Sequence, residues 1–190
     1  MNNPLQFLNR VSTPADALVA PAPDDKQLAQ IFQAAMNAPD HGRLKPYRFI
    51  TIRGDARQQL SEVFGNAVKR RDPDVTDQYL QKQKNKPLRS PLIVAVVACL
   101  QKSPKVPEIE QMLCAGAVAN NILLASNALG FGAIWLTGDN AFDDNVCKPL
   151  GLSSSEKLIG FIYLGTPKIK MPDRQPASLS GKVSQWTKPV

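Results

Sequence analysis

The chain has a single histidine, His41, and that scarcity removes two broad kinds of chemistry at once. A Ser-His-Asp hydrolase needs a histidine base, and catalytic transition-metal sites commonly draw on several imidazoles. Cysteine is scarce too: Cys99, Cys114 and Cys147 stand singly, without zinc spacing and without the even number of a disulfide framework. They read as small core residues of a chain kept reduced, so a cytoplasmic location is expected and no metal is. Aromatic residues make up only 6%, and no RNP or helix-turn-helix signature is present, which argues against a nucleic-acid partner. There is no GxxxxGK[ST] phosphate loop. The glycines of Leu129-Gly130-Phe131-Gly132 follow a helical pattern and precede a strand-like one, the reverse of a dinucleotide fingerprint. No apolar run approaches the ~20 residues of a membrane span, and the amino terminus lacks the basic-then-apolar pattern of a secretory signal. No carboxylate pair stands out among 16 Asp and Glu, so an enzyme of this sequence would rely on a bound cofactor.

What is present is an ordinary globular composition, 43% apolar and 21% charged over 190 residues, enough for one domain spanning 1–190. The net charge of +7 is concentrated in residues 66–90 and 167–190, leaving the remainder close to neutral. The organising stretch runs from Pro107 to Gly138. A proline opens a long helix that is small or apolar on nearly every face from Cys114 onward. Gly130 and Gly132 stop it, and Ala133–Leu136 forms a short strand. A helix apolar all round is expected to be buried.

Ahead of it, Leu5, Leu8 and Val11 predict a short amphipathic helix over 3–12, and Pro14–Pro23 predicts an extended connection. Asp24 or Asp25 caps a helix near 25–37. Tyr47–Arg53 reads as a strand, 56–71 as a helix, and Pro91–Leu100 as a strand covered on both faces. Between these last two, residues 72–89 are polar and lysine-rich, a loosely attached helix suited to a lid. After the central unit come a short helix near 143–150, a buried strand at Leu158–Gly165, and a basic, proline-containing tail over 166–190. That tail has little core of its own, so it is expected to cross its own domain or a partner. Four strands among five or six helices, with no regular βαβ alternation, predict an α+β, three-layer domain.

Five motifs occur in order: NRVS near the amino terminus, AAMNAPDH running into KPYRF, KVPxxEQ before the central helix, GFGAIWLTG after it, and GTPK before the tail. Taken as a set, they make the chain resemble the nitroreductase family of FMN oxidoreductases, in particular its short bacterial branch of the YdjA type. The resemblance covers nearly the whole chain. It implies a mostly antiparallel sheet covered by helices, and a homodimer with an exchanged carboxy-terminal tail and FMN sites built from both subunits. It also implies NAD(P)H as reductant and an electron-poor small-molecule acceptor, a nitroaromatic or quinone. Hydride would pass through flavin N5 with no obligatory side-chain acid or base.

Carried over by position, Arg10 and Ser12 would hold the FMN phosphate and ribityl chain, with Val11, where relatives have a second Arg, giving backbone contact. Asn37 and His41 would reach the flavin, in part across the interface. Trp135, Leu136 and Thr137 would lie along its ring or ribityl side. Lys170 and Arg174, in preference to Lys168, would clamp the phosphate, and Lys45 would face the pyrimidine edge. Because Val11, Asn37 and Lys45 depart from the family pattern, an FMN-binding sensor or scaffold with little turnover is the alternative.

Overall fold

A computed structural model describes residues 8–175 and 177–187. Its centre is β3 (Leu92–Cys99), whose residues from Leu92 to Ala98 are all buried. Alternate side chains go to opposite faces, which is why this strand reads as an unbroken apolar run. Ile93, Ala95 and Val97 pack with Leu60 and Phe64 of α2 (Ala56–Arg71) and with Phe161 and Tyr163 of β5 (Glu156–Pro167). Leu92, Val94 and Val96 pack with Leu28 and Ile31 of α1 (Asp25–Ala35) and with Val118 and Ile122 of α4 (Glu108–Ala128). The result is the three-layer α+β arrangement expected, with a sheet between helices. Each large aliphatic side chain buried this way is worth roughly 1.5–3 kcal/mol.

The sheet order is β1-β5-β3-β2, with β4 (Gly132–Leu136) also on β5, and every pair is antiparallel. Here β1 is Leu18–Val19 and β2 is Tyr47–Arg53. α1 begins with a reciprocal capping box, in which Asp24 accepts from the Gln27 amide and Gln27 accepts from that of Asp24. α3 (Asp77–Asn85) and the 3-10 turn Lys86–Arg89 follow α2, and α5 (Asp144–Cys147) precedes β5.

Several expectations need correction. The helix proposed over 3–12 falls mostly outside the described residues, and within them only Leu8 and Asn9 are helical, in a 3-10 turn. Arg10–Ser12 are irregular. Pro14–Pro23 is not simply extended. A 3-10 turn at Ala15–Ala17, closed by the Ala17 amide on the Pro14 carbonyl, leads into β1, and the Ala20–Pro21 bond is cis. That adds a fifth strand to the expected four.

The 72–89 segment is held more firmly than expected. Gln83 and Pro87 are buried, and Gly65 of α2 leaves room for the Lys84 stem, whose ammonium lies 2.7 Å from Glu62. The central helix buries one face in its own chain, as Ala115, Val118, Ala119 and Ile122 show. Ahead of Cys114, where the all-round apolar stretch begins, Ile109 is 64% and Leu113 65% exposed.

Candidate functional site

The irregular segment after Asn9 lies against the outer edge of β4. The Thr13 amide donates to the Ala133 carbonyl at 3.2 Å, and Arg10 Nη2 donates to the same oxygen at 2.8 Å. Gly132 permits this approach, since a Cβ there would meet Leu18 at 2.7 Å and the Thr13 hydroxyl at 2.8 Å. With its guanidinium pinned, Arg10 faces a cleft of about 360 Å³ that Val11, Asn127, Phe131, Lys170 and Asp173 also line. Burial, and after it the positive charge of Arg174, lowers the pKa of Arg10. Lys170 and Asp173 therefore share the cleft with Arg10, and Arg174 is near enough for its charge to act on the Arg10 guanidinium. Ser12 is exposed beside them, with its hydroxyl accepting weakly from Arg10 at 3.4 Å. Lys168 donates its amide to the Ala17 carbonyl next to β1.

The edge of β4 continues this site. The Ala133 carbonyl points away from β5, so the two-residue repeat of a strand turns the amide and carbonyl of Trp135 outward as well. The Trp135 side chain is otherwise committed. Its indole N–H donates to the Ile159 carbonyl at 3.2 Å, and the ring lies over Gly160, where a Cβ would stand 2.2 Å from Nε1. Leu136 points to the opposite face. With Thr137 it lines a second cavity of about 230 Å³ on the α2 side, together with Phe64, Phe161, Tyr163, Lys86 and Arg89.

Asn37 and His41 are elsewhere in the same chain. His41 Nδ1 lies 2.6 Å from Glu110 near the start of α4, whereas the Arg10 cleft reaches Asn127 near its end. About 25 Å of helix separates those two positions. Asn37 is exposed just past α1. Lys45, at φ 48°, is exposed, and its amide bonds Asp40. One chain therefore gathers Arg10, Val11, Ser12, Lys170 and Arg174 at one end of α4, sets Trp135–Thr137 along β4, and leaves Asn37 and His41 apart. Sequence reasoning missed Thr13, Asn127 and Gly132, whose only signal was the short strand after two glycines.

A helix-covered antiparallel sheet of this kind is shared by solved structures. The Nitroreductase-like Family Protein from Bacillus cereus superposes with a TM-score of 0.79 at 17% identity, over 95% of this chain and 94% of that one. A mutant of the FMN- and NADPH-dependent nitroreductase NfnB from sphigopyxis sp. strain HMH gives 0.71 at 16% identity, over 95% and 97%. In sequence, the "Putative NAD(P)H nitroreductase YdjA" of Escherichia coli (strain K12) is 38% identical over 164 residues, 86% of this chain and 87% of its own. The model of the Nitroreductase family matches residues 18–166, and the chain belongs to that family.

Proposed function

We propose that the chain is an FMN-dependent NAD(P)H oxidoreductase of the nitroreductase type, reducing electron-poor acceptors such as nitroaromatics or quinones. The observation that carries this reading is that Arg10 and Lys170 line one cleft beside the open edge of β4, with Arg174 near enough for its charge to act on Arg10. The donor set fits a phosphate monoester: a planar guanidinium for a bidentate contact, an ammonium, and the Ser12 hydroxyl. The outward amide of Trp135 is a fixed donor toward anything lying along the strand edge. Bound FMN would supply the hydride-accepting and hydride-donating ring. The side chains around it would bind and orient, and none is asked to act as acid or base.

The working unit in this reading is a homodimer. Ile109 and Leu113 on the uncovered face of α4 offer an apolar surface to a second copy, and obligate dimer interfaces resemble a domain core. A second copy would also bring His41 and Asn37 within reach of the first copy's Arg10 cleft. Leu179, Val183 and Trp186 of the tail are exposed on their own chain and would pack on the partner. Among the described residues no helix is long and apolar enough to cross a membrane.

The test is optical. The purified protein is expected to be yellow, with its visible flavin absorbance bleached by NADH or NADPH under anaerobic conditions and restored by a nitroaromatic or quinone. Bound FMN that neither nucleotide bleaches would overturn the oxidoreductase and leave a flavin-binding scaffold.

A further inference from the structure

The two sides of α3 do different work. Its inner side is given to the domain: Gln83 is buried, and Lys84 reaches back over Gly65 of α2 to Glu62 at 2.7 Å. On its outer side Gln78, Gln81, Lys82 and Asn85 lie three or four residues apart, which puts them on one helical face. With Lys86 and Arg89 of the following 3-10 turn they line a hollow of about 530 Å³. Every one of these side chains is a cation or a carboxamide. Gln81 Nε2 donates to Asn85 Oδ1 at 2.9 Å, which fixes the direction of both amides.

Positive charge in this hollow has little to answer it. Among the described residues none of Lys82, Lys86 and Arg89 has a carboxylate within 4.0 Å. Burial, and then the charge of Arg89, pulls the Lys86 ammonium below the ordinary lysine range. Asp139 opposes this, and Lys82 and Arg71 add to it. Like charges placed so closely repel, and an anion seated among them relieves the repulsion. Arg89 is already committed, its guanidinium 5.8 Å from the Tyr163 ring centroid, so the cation most open to a ligand on this face is the exposed Lys82.

Lys86 and Arg89 also line the second cavity, at whose rim stand Thr137 and Gly138. The hollow on α3 therefore shares a wall with the space at the end of β4. We propose that Lys82 is a specificity-determining residue for the reductant, binding the phosphate on the adenosine ribose so that NADPH is taken in preference to NADH. This assignment rests on the oxidoreductase reading. A phosphate dianion only accepts hydrogen bonds, and ammonium and carboxamide N–H groups are the donors the hollow offers. NADH carries a ribose diol at that position, and a site built for the diol places a carboxylate there. Among the described residues no carboxylate lines this hollow. Its volume falls within the roughly 300–1,000 Å³ of ordinary ligand pockets, enough for the adenosine end of a nucleotide.

Calorimetric titration of the full-length protein, purified with its cofactor, compares adenosine 2′,5′-bisphosphate with 5′-AMP and inorganic phosphate. The bisphosphate is expected to bind about tenfold or more tightly than 5′-AMP, to lose that advantage in Lys82→Gln and to keep it in Lys82→Arg. Lys82 is exposed and glutamine is nearly as good a helix former, so Lys82→Gln is expected to fold. Equal bisphosphate affinity in wild type and Lys82→Gln overturns the proposal. Inorganic phosphate binding as tightly as the bisphosphate also does, by making this a general anion site.

In steady state, the ratio of kcat/KM for NADPH to that for NADH is expected to fall about tenfold in Lys82→Gln. Lys82-dependent bisphosphate binding, with the flavin reduced by neither nucleotide, would sink the oxidoreductase and leave a nucleotide-phosphate site. Reduction by both nucleotides at a ratio indifferent to Lys82 would do the reverse.

Discussion

The two basic segments carry the same excess charge and use it differently. In 66–90, Arg71 and Lys84 are tied to Asp143 and Glu62, and their charge holds α2 and α3 to the rest of the domain. In the tail, Lys170 joins Arg10 in lining a cleft whose only carboxylate among the described residues is Asp173, and the charge of Arg174 acts on Arg10. Net charge does not separate these cases. Carboxylate partners do: a paired cation serves the fold, and a gathered set of unpaired cations serves a ligand.

Substitutions can break that contrast. The largest effect is expected from Arg10→Ala. Removing a charge-assisted bidentate contact should weaken FMN binding by about 100-fold, roughly 2.7 kcal/mol, as read by flavin fluorescence titration. An unchanged Kd would place Arg10 with the structural cations. Arg71→Ala should do the opposite, leaving FMN affinity alone and lowering stability by about 1–3 kcal/mol in urea unfolding. The reason is that the Asp143 side chain is only 7% exposed and loses its cation, keeping only its bonds from Asn145.

Arg48 and Glu156 give a pH-resolved version. The Arg48 hydrogen bond is the chief cause holding the Glu156 carboxyl down to about 2, against an ordinary 4.5. A depressed carboxyl stabilises the fold fully above the unfolded value, and that stability is lost as pH falls from 4.5 through 2. Since Arg48 is over a third exposed, screening leaves about 1–2 kcal/mol. Arg48→Ala should therefore differ from wild type at pH 6 and converge with it near pH 2; a constant gap would refute the linkage. The smallest effect is expected from Lys84→Ala, about 0–1 kcal/mol, since its partner Glu62 is 64% exposed.

The layered fold was largely legible because its signals are local. The continuous run at β3 announced a strand buried on both faces, Asp24 announced a cap, and α2 and β2 fell where their periodicity put them. What escaped was set by distant partners. Arg10–Thr13 take their shape from the Ala133 carbonyl more than a hundred residues away, which no local pattern encodes. The two-residue β1 exists because Thr166 and Pro167 pair with it. Of the site, Arg10 and Lys170 could be placed by motif position, but the cleft joining them depends on Gly132 tolerating Thr13. The length of α4 was legible, but that His41 lies at its start, opposite Glu110, depends on how α1 packs along it, with Asn121 bonded to the Ala35 carbonyl.

The indole of Trp135 resting on Gly160 has a consequence for how this sequence can drift. Any side chain at position 160 would strike the ring, and a smaller residue at 135 would abandon the Ile159 carbonyl and open a hollow above the sheet. Neither position has an easy single-step neighbour, so among descendants of this chain the two should change together or not at all. Lineages that lose the tryptophan are then the ones in which position 160 becomes free to vary.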